Sequence, residues 1–435
     1  MKKKIITGLS IIVLLTVGGA GLILLHRNQA FADPPDTPPG QENSEKVTIC
    51  HIPPGDPGQA KKMEIPRTAV PAHLAHGDTY GRCFVHLETY QTQAQIEDFR
   101  VDEDGKVVTI VTEEKVLFPQ SDREFDLTPR RVELDRSSQK NVLLWQLKNG
   151  RRSLKYELLD RNGGLINIGE IELLPLGQEA VLALTGQSFI TYDESLQGKS
   201  FLRKIDALTG TQEWFREFEH PVFVHTNPKF NRILVKREKN VKTILDLETG
   251  QTLAEQTIDV DRFRWADSSS NLLGFVIFSN PRKIVVWNEK LNKIQEWEGN
   301  FYGPEFSQEI NSVISPTFET QIFVGNLNTT EKFLTQSYAT NATLWNFFTD
   351  KKKKLLLVTG SKFIKENDSA TSVNLDRILW IYSLQNGKIL KKEIFPSSEF
   401  DFYDRFYSSP RIKGSSSKNI IALNFPTQIR IYKYD

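Results

Sequence analysis

Cysteine is almost missing from this chain: Cys50 and Cys83 are the only two among 435 residues. No C-x-x-C-H stretch occurs, which excludes a c-type haem. Charge of one sign is missing as well. The 55 basic and 54 acidic residues leave a formal net charge of +1, so no global field steers the protein to nucleic acid or to an anionic membrane. Catalytic signatures are absent too: there is no G-x-S-x-G elbow, no H-E-x-x-H, no G-x-x-x-x-G-K-S/T and no EF-hand loop. Acidic pairs such as Asp401 and Asp404 are too generic to make an acid/base constellation. The run Lys351 to Lys354 reads as a solvated hairpin turn rather than a nucleic-acid patch. The N-x-S/T triplets at Asn328, Asn341 and Asn367 read as chance occurrences in a bacterial-looking protein.

What is present is ordinary for a packed core. Hydrophobic residues make up 39% and charged residues 25%. An aromatic content of 10% favours a β-rich interior, and the length suggests roughly two or three domains. At the amino terminus Lys2, Lys3 and Lys4 precede an uncharged apolar run from Gly8 to Leu25, then Ala30-Phe31-Ala32. These are the three parts of a secretory signal peptide, read over residues 1–32, with an uncleaved membrane anchor as the alternative. No cysteine lies near the cleavage pattern, which excludes a lipoprotein signal. The remainder is expected outside the cytoplasm: secreted, periplasmic or on the cell surface. Residues 33–46 form a Pro-rich linker, extended and with nothing to bury.

Residues 47–86 hold both cysteines and four of the seven histidines: His51, His73, His76 and His86. Val47 to Cys50 reads as a short strand, and Pro53-Pro54-Gly55 and Asp56-Pro57-Gly58 as consecutive turns. Thr68 to His76 reads as a short helix, with Thr68 at its N-cap, Pro71 in its first turn and Gly77 as its stop. On that helix His73 and His76 stand three apart and share a face. Two cysteines in an exported chain point to a Cys50–Cys83 disulfide, which would contribute roughly 3–4 kcal/mol on the chain-entropy model. The histidines have two readings. In one they are polar packing residues that bond turn carbonyls. In the other His73 and His76, with His51 or Asp78, bind a transition metal such as zinc. A Cys2His2 zinc site conflicts with the bridge, because a bridged sulfur is not a thiolate.

The pattern Cys50-His51, Pro53-Pro54-Gly55, Ala72 to Asp78, Gly81 and Cys83 resembles a short module, C-H-x-P-P-G…A-H-L-A-H-G-D…G-x-C, of exported bacterial proteins of varied architecture. The resemblance implies compartment and modularity and no particular chemistry.

From about Gln95 the pattern changes to short β-branched and aromatic runs divided by turns, as in residues 106–112, 141–147, 232–237, 283–288 and 377–384. Strand–turn–strand units such as RKIDALTGTQEW (203–214) and TILDLETGQTL (243–253) recur with a period of roughly 40–50 residues, that of propeller blades. The expectation is an all-β chain in which residues 95–435 form a β-propeller of about seven blades, with six or eight compatible. Residues 300–341 fit the repeat poorly.

The hairpin D-A-L-T-G-T-Q-E-W resembles the repeat of quinoprotein-like and WD-like propellers of the non-enzymatic type, such as envelope assembly factors, although the WD signature G-H…W-D is absent. In that family the turn glycine takes a positive φ and the tryptophan docks between blades; Gly210, Gly250 and Trp214 match. Quinone-dependent members carry a disulfide of adjacent cysteines against the cofactor. This domain has no cysteine, so no cofactor is implied.

The functional expectation is an exported, non-catalytic binding or scaffold protein. Its partner would be a protein or a cell-envelope component. It would meet no nucleic acid, and a membrane only through an uncleaved anchor. The alternatives are an enzyme using the central channel, for which His220 and His225 are the histidines at hand, and metal binding by the Cys/His module.

Overall fold

Strand runs of five or six apolar residues, rather than a strict alternation of apolar and polar, demand burial on both faces. In a computed structural model this demand is met by stacking sheets face to face around an axis. The structure describes residues 46–128, 130–135, 137, 140–148, 153–173, 181–194, 198–260, 262–265, 271–276, 281–301, 303–307, 309–329, 331–338, 342–364, 374–396 and 411–435. The expected signal peptide and all of the Pro-rich linker except Lys46 lie outside these residues, as do Asp401, Asp404, Asn341 and Asn367. Lys46–Asp435 is one compact unit.

The unit begins with strand β1 (Lys46–His51), strand β2 (Lys61–Pro66), helix α1 (Val70–Ala75) and strand β3 (Thr79–Tyr80). β1 pairs with both β2 and β3 in a small antiparallel sheet. Cys50 and Cys83 are bridged, with their Cα atoms 4.8 Å apart, and Cys50, Cys83, Ala60 and Val85 pack together. The helix starts differently from expectation. Arg67–Ala69 forms a tight 3-10 turn that leads into α1, Thr68 lies inside that turn, and no side chain caps α1. The turn places Ala69 at the N-cap position of α1, and its methyl group offers no acceptor for the first helical N–H groups.

Strand β4 (Phe84–Gln91) follows Cys83 at once. Beyond it lie seven antiparallel meanders of four consecutive strands: residues 96–126, 131–172, 181–218, 223–257, 262–299, 305–334 and 342–395. They are the first to seventh blades. The eighth is composite. Arg411–Ser415, Ile420–Phe425 and Gln428–Tyr434 supply three strands, and β4 adds the fourth by pairing antiparallel with Gln428–Tyr434. The described residues therefore form an eight-bladed propeller rather than about seven blades. The stretch 300–341 that fitted the repeat poorly contains a complete blade whose innermost and outermost strands, Glu305–Ser307 and Lys332–Leu334, are only three residues long. β4 also runs across the expected boundary between the module (47–86) and the repeat domain (95–435).

Successive side chains of a central strand enter different cores, as the two-residue period requires. Leu143 packs with Tyr156, Phe189 and Ala207 between the second and third blades. Its neighbours Val142 and Leu144 pack with Val111, Val116 and Phe118 between the first and second. Outermost strands have one packed neighbour fewer and are mostly exposed, as in Thr252–Thr257. The lysine run 351–354 forms the turn between the strands Ala342–Asp350 and Leu355–Ile364.

The repeated hairpin is held by its aspartate. Asp206 Oδ1 accepts the N–H groups of Leu208 and Thr209 at 2.7 and 3.0 Å, and the Gly210 N–H bonds the Asp206 carbonyl at 2.8 Å. Asp246 does the same for Thr249 and Gly250. Gly210 and Gly250 take φ +72° and +68°. Trp214, on the outermost strand of the third blade, donates its indole N–H to the Leu247 carbonyl of the fourth at 2.9 Å. A Cβ at Gly250 would lie 2.8 Å from the Trp214 ring, whereas one at Gly210 would meet only the Tyr156 hydroxyl at 3.6 Å. In the fifth blade the left-handed position falls on Leu291 at φ 62°. The strain there is offset by burial of its side chain with Trp265 and Trp287.

Gly210→Ala and Gly250→Ala separate the two demands. The left-handed backbone alone costs Gly210→Ala about 1–2 kcal/mol. Gly250→Ala adds the clash with Trp214 and should cost about 2–4 kcal/mol. Urea midpoints of the two variants measure this; equal shifts would show that Trp214 is not docked against Gly250.

Candidate functional site

Two places gather chemistry-bearing side chains: the small module and the propeller axis. In the module, His51 is the last residue of β1, His73 lies on α1, and Asp78 follows the helix just before β3. Pairing of Cys50 with Thr79 across β1 and β3 brings Asp78 beside His51. The turn after α1, in which the Asp78 N–H bonds the His73 carbonyl at 3.2 Å, brings it beside His73.

The Asp78 carboxylate is fully buried and is the hub of the cluster. Its Oδ1 accepts the Ile52 backbone N–H at 2.7 Å. Its Oδ2 faces Nδ1 of His51 at 2.9 Å and Nδ1 of His73 at 2.7 Å. With an ionised carboxylate both Nδ1 atoms are the donors. Burial by itself would raise the Asp78 pKa, but the Ile52 N–H and the two imidazoles outweigh it and hold the group at about 2, against an ordinary 3.8. The His51 and His73 side chains are 26% and 23% exposed, so solvent reaches both rings.

Of the residues expected at a metal site, His51, His73 and Asp78 come together, with one ligand atom of each lying within 4.8 Å of the others. His76 stands beside them: its ring meets the His73 ring edge-on at 5.5 Å, but it is not part of that set. His86 lies on β4, outside that set, and bonds Thr89 Oγ1 at 2.8 Å. Both sulfurs are committed to the bridge. The part played by the Ile52 N–H had no signal in the sequence, because any residue there supplies it.

At the axis a cavity of about 670 Å³ is lined from six of the eight blades, by residues that include Asp98, Arg100, Asp135, Lys229, Trp265 and Lys413. Lys413 pairs with Asp98 at 2.6 Å. Burial tends to raise the Asp98 carboxyl, but the Lys413 ammonium beside it outweighs this and keeps it below its ordinary value. Arg100 donates to the carbonyls of Asp135 and Asn141 at 2.7 and 3.0 Å. Asp98 and Lys413 are 315 positions apart, and no local motif announces such a pair. Of the two histidines in the repeat domain, His225 lies exposed on Phe223–Asn227, the innermost strand of the fourth blade, and its carbonyl accepts the Trp265 indole N–H at 3.0 Å. His220 is exposed just before that strand. Among the described residues no helix is long and apolar enough to cross a membrane.

Because Asp78 titrates lower in the folded chain than in the unfolded one, its stabilisation is present above the ordinary carboxylate pKa and is lost as pH falls through the window from about 4 to about 2. In chelator-treated protein, the stability gap between wild type and Asp78→Asn should be widest above about pH 5, about halved near pH 3 and closed only as pH falls to about 2. Urea midpoints across that range check it, and a gap independent of pH would contradict it.

No protein-family model matches the chain, and no curated protein matches it in sequence. Among solved structures it is similar to the computationally designed Ika8 protein, with a TM-score of 0.46 and 12% identity, over 80% of this chain and 98% of that one. It is also similar to BamB from Moraxella catarrhalis, with a TM-score of 0.42 and 12% identity, over 81% of this chain and 98% of that one. The chain's own strand order, seven four-stranded meanders and an eighth sheet that joins its two ends, makes Lys46–Asp435 a β-propeller with a disulfide-closed module built onto it.

Proposed function

We propose that the chain is an exported, non-catalytic binding platform that presents the axial cavity of its propeller to a protein or another cell-envelope component. The observation that carries this reading is how the cavity's charges are used. Asp98 is held as a carboxylate by Lys413, and Arg100 donates to two backbone carbonyls. Groups fixed in this way offer a preorganised pattern of charge and hydrogen bonding, which suits recognition. The bridge between Cys50 and Cys83 supports placement in an oxidising compartment, and the net charge of +1 argues against a nucleic-acid partner.

Lys229 is exposed and lines the cavity, so a photo-cross-linking amino acid at that position tests the reading in cells. A discrete protein or envelope adduct is expected from position 229 and not from position 290, which lies in an exposed hairpin of the fifth blade. Equal adducts from both positions would remove the support. Turnover of a substrate by the purified chain, abolished by Asp98→Asn, would replace this reading with that of a channel enzyme.

A further inference from the structure

The binding platform leaves the His51, His73 and Asp78 cluster unused, although it is the most heavily bonded polar group in the module. A purely structural carboxylate needs its two oxygens satisfied, and one imidazole with the Ile52 N–H would do that. Here two imidazoles converge on the same oxygen, Oδ2, at 2.9 and 2.7 Å. Oδ1 is taken by the Ile52 N–H, so the carboxylate presents Oδ2 alone, as a one-oxygen ligand with a fixed direction. Outer partners of this kind orient a ligand and tune its basicity.

We propose that His51 Nδ1, His73 Nδ1 and Asp78 Oδ2 bind one divalent transition-metal ion of the zinc class. The ion takes the place of the two protons that lie between the rings and the carboxylate. Each neutral ring keeps its one proton, moved from Nδ1 to Nε2, so no net proton is released from neutral histidine. Both Nδ1 atoms already lie within 2.9 Å of Oδ2, one ligand atom of each residue lies within 4.8 Å of the others, and contacts of about 2.0–2.1 Å to a shared ion need only small movements of partly exposed rings. Two nitrogens and one oxygen favour borderline ions over calcium or magnesium, which prefer oxygen alone. Three protein ligands leave a position open to water or to His76, whose ring is 5.5 Å from that of His73.

The two cysteines serve this site without touching the ion. Cys50 adjoins His51, and Cys83 follows Asp78 by five positions. Their bridge fixes β1 against the segment that carries the carboxylate. An oxidisable thiolate site is thereby replaced by one that holds its geometry in an oxidising compartment.

The test uses the full, tag-free chain, stripped with a chelator and then dialysed against zinc at neutral pH. One ion per chain is expected. Uptake should be lost in the double variant His51→Gln/His73→Gln, which removes two ligand nitrogens, and strongly weakened in Asp78→Asn, which removes the anionic ligand. Glutamine can still donate a hydrogen bond to Asp78, so this pair keeps the module folded while removing the nitrogen ligands. His86→Ala should bind as wild type does. Cobalt substitution gives a second readout that needs no variant: visible bands of a nitrogen/oxygen site are expected, without a sulfur charge-transfer band. No uptake by wild type, unchanged uptake by the double glutamine variant, or a sulfur band would each overturn the proposal. None of these outcomes bears on cross-linking at position 229, so the site and the platform stand or fall separately.

Discussion

The antiparallel pairing of β4 with Gln428–Tyr434 holds the rest together. A row of stacked sheets has two raw ends, each with apolar side chains facing water and an unpaired strand edge. Here the ends meet in one blade. Tyr434 pairs with Phe84 and Gln428 with Gln91, and the Phe84 and Tyr432 rings stack at 4.5 Å. Ile421 and Leu423 of that blade then pack with Leu355 and Leu379 of the seventh, while Ala422 and Ile429 pack with Phe99 and Ile110 of the first. With that joint made, every central strand has a partner sheet on each face, and the axial cavity acquires a wall on all sides that the described residues reach.

The module is anchored to the same joint. The Arg82 guanidinium and the Asp435 N–H bond across it, to the Asp435 and Cys83 carbonyls at 3.1 and 3.2 Å, and Lys433 reaches the Gly58 carbonyl. The disulfide therefore ties the module to the strand that completes the eighth blade. A small sheet with few buried side chains of its own, Ile49, Ile65 and Val70 among them, gains its order from a much larger neighbour and from one covalent staple.

How much of this could be read in the residues depended on the range of the interactions. The hairpins at 206–210 and 246–250 were legible because aspartate, threonine and glycine close such turns locally, through bonds two to four residues long. Central strands were legible as unbroken apolar runs. The number of blades was not, because the sixth blade uses three-residue outer and inner strands and the fifth places Leu291 where glycine is usual; packing, not turn chemistry, decides both. In the module the spacing of His73, His76 and Asp78 pointed to a shared site, but it could not say that Asp78 rather than His76 sits at its centre. That follows from β1 and β3 pairing and from a backbone N–H that any residue could supply. Asp98 and Lys413 lay beyond reach because only ring closure makes them neighbours.

The composite eighth blade also sets an order of events as the chain emerges. The bridge of the module closes a loop with a separation of 33 residues, so this part can form early, on contacts that are local. β4 pairs with a strand more than three hundred residues further along the chain, so the ring closes only once that strand is in place. Such distant pairing is slow to nucleate. A pre-folded module holding the first residue of β4 in place reduces what must be found at random, and it keeps a bare strand edge from being offered freely to other chains while the last blade is still to come.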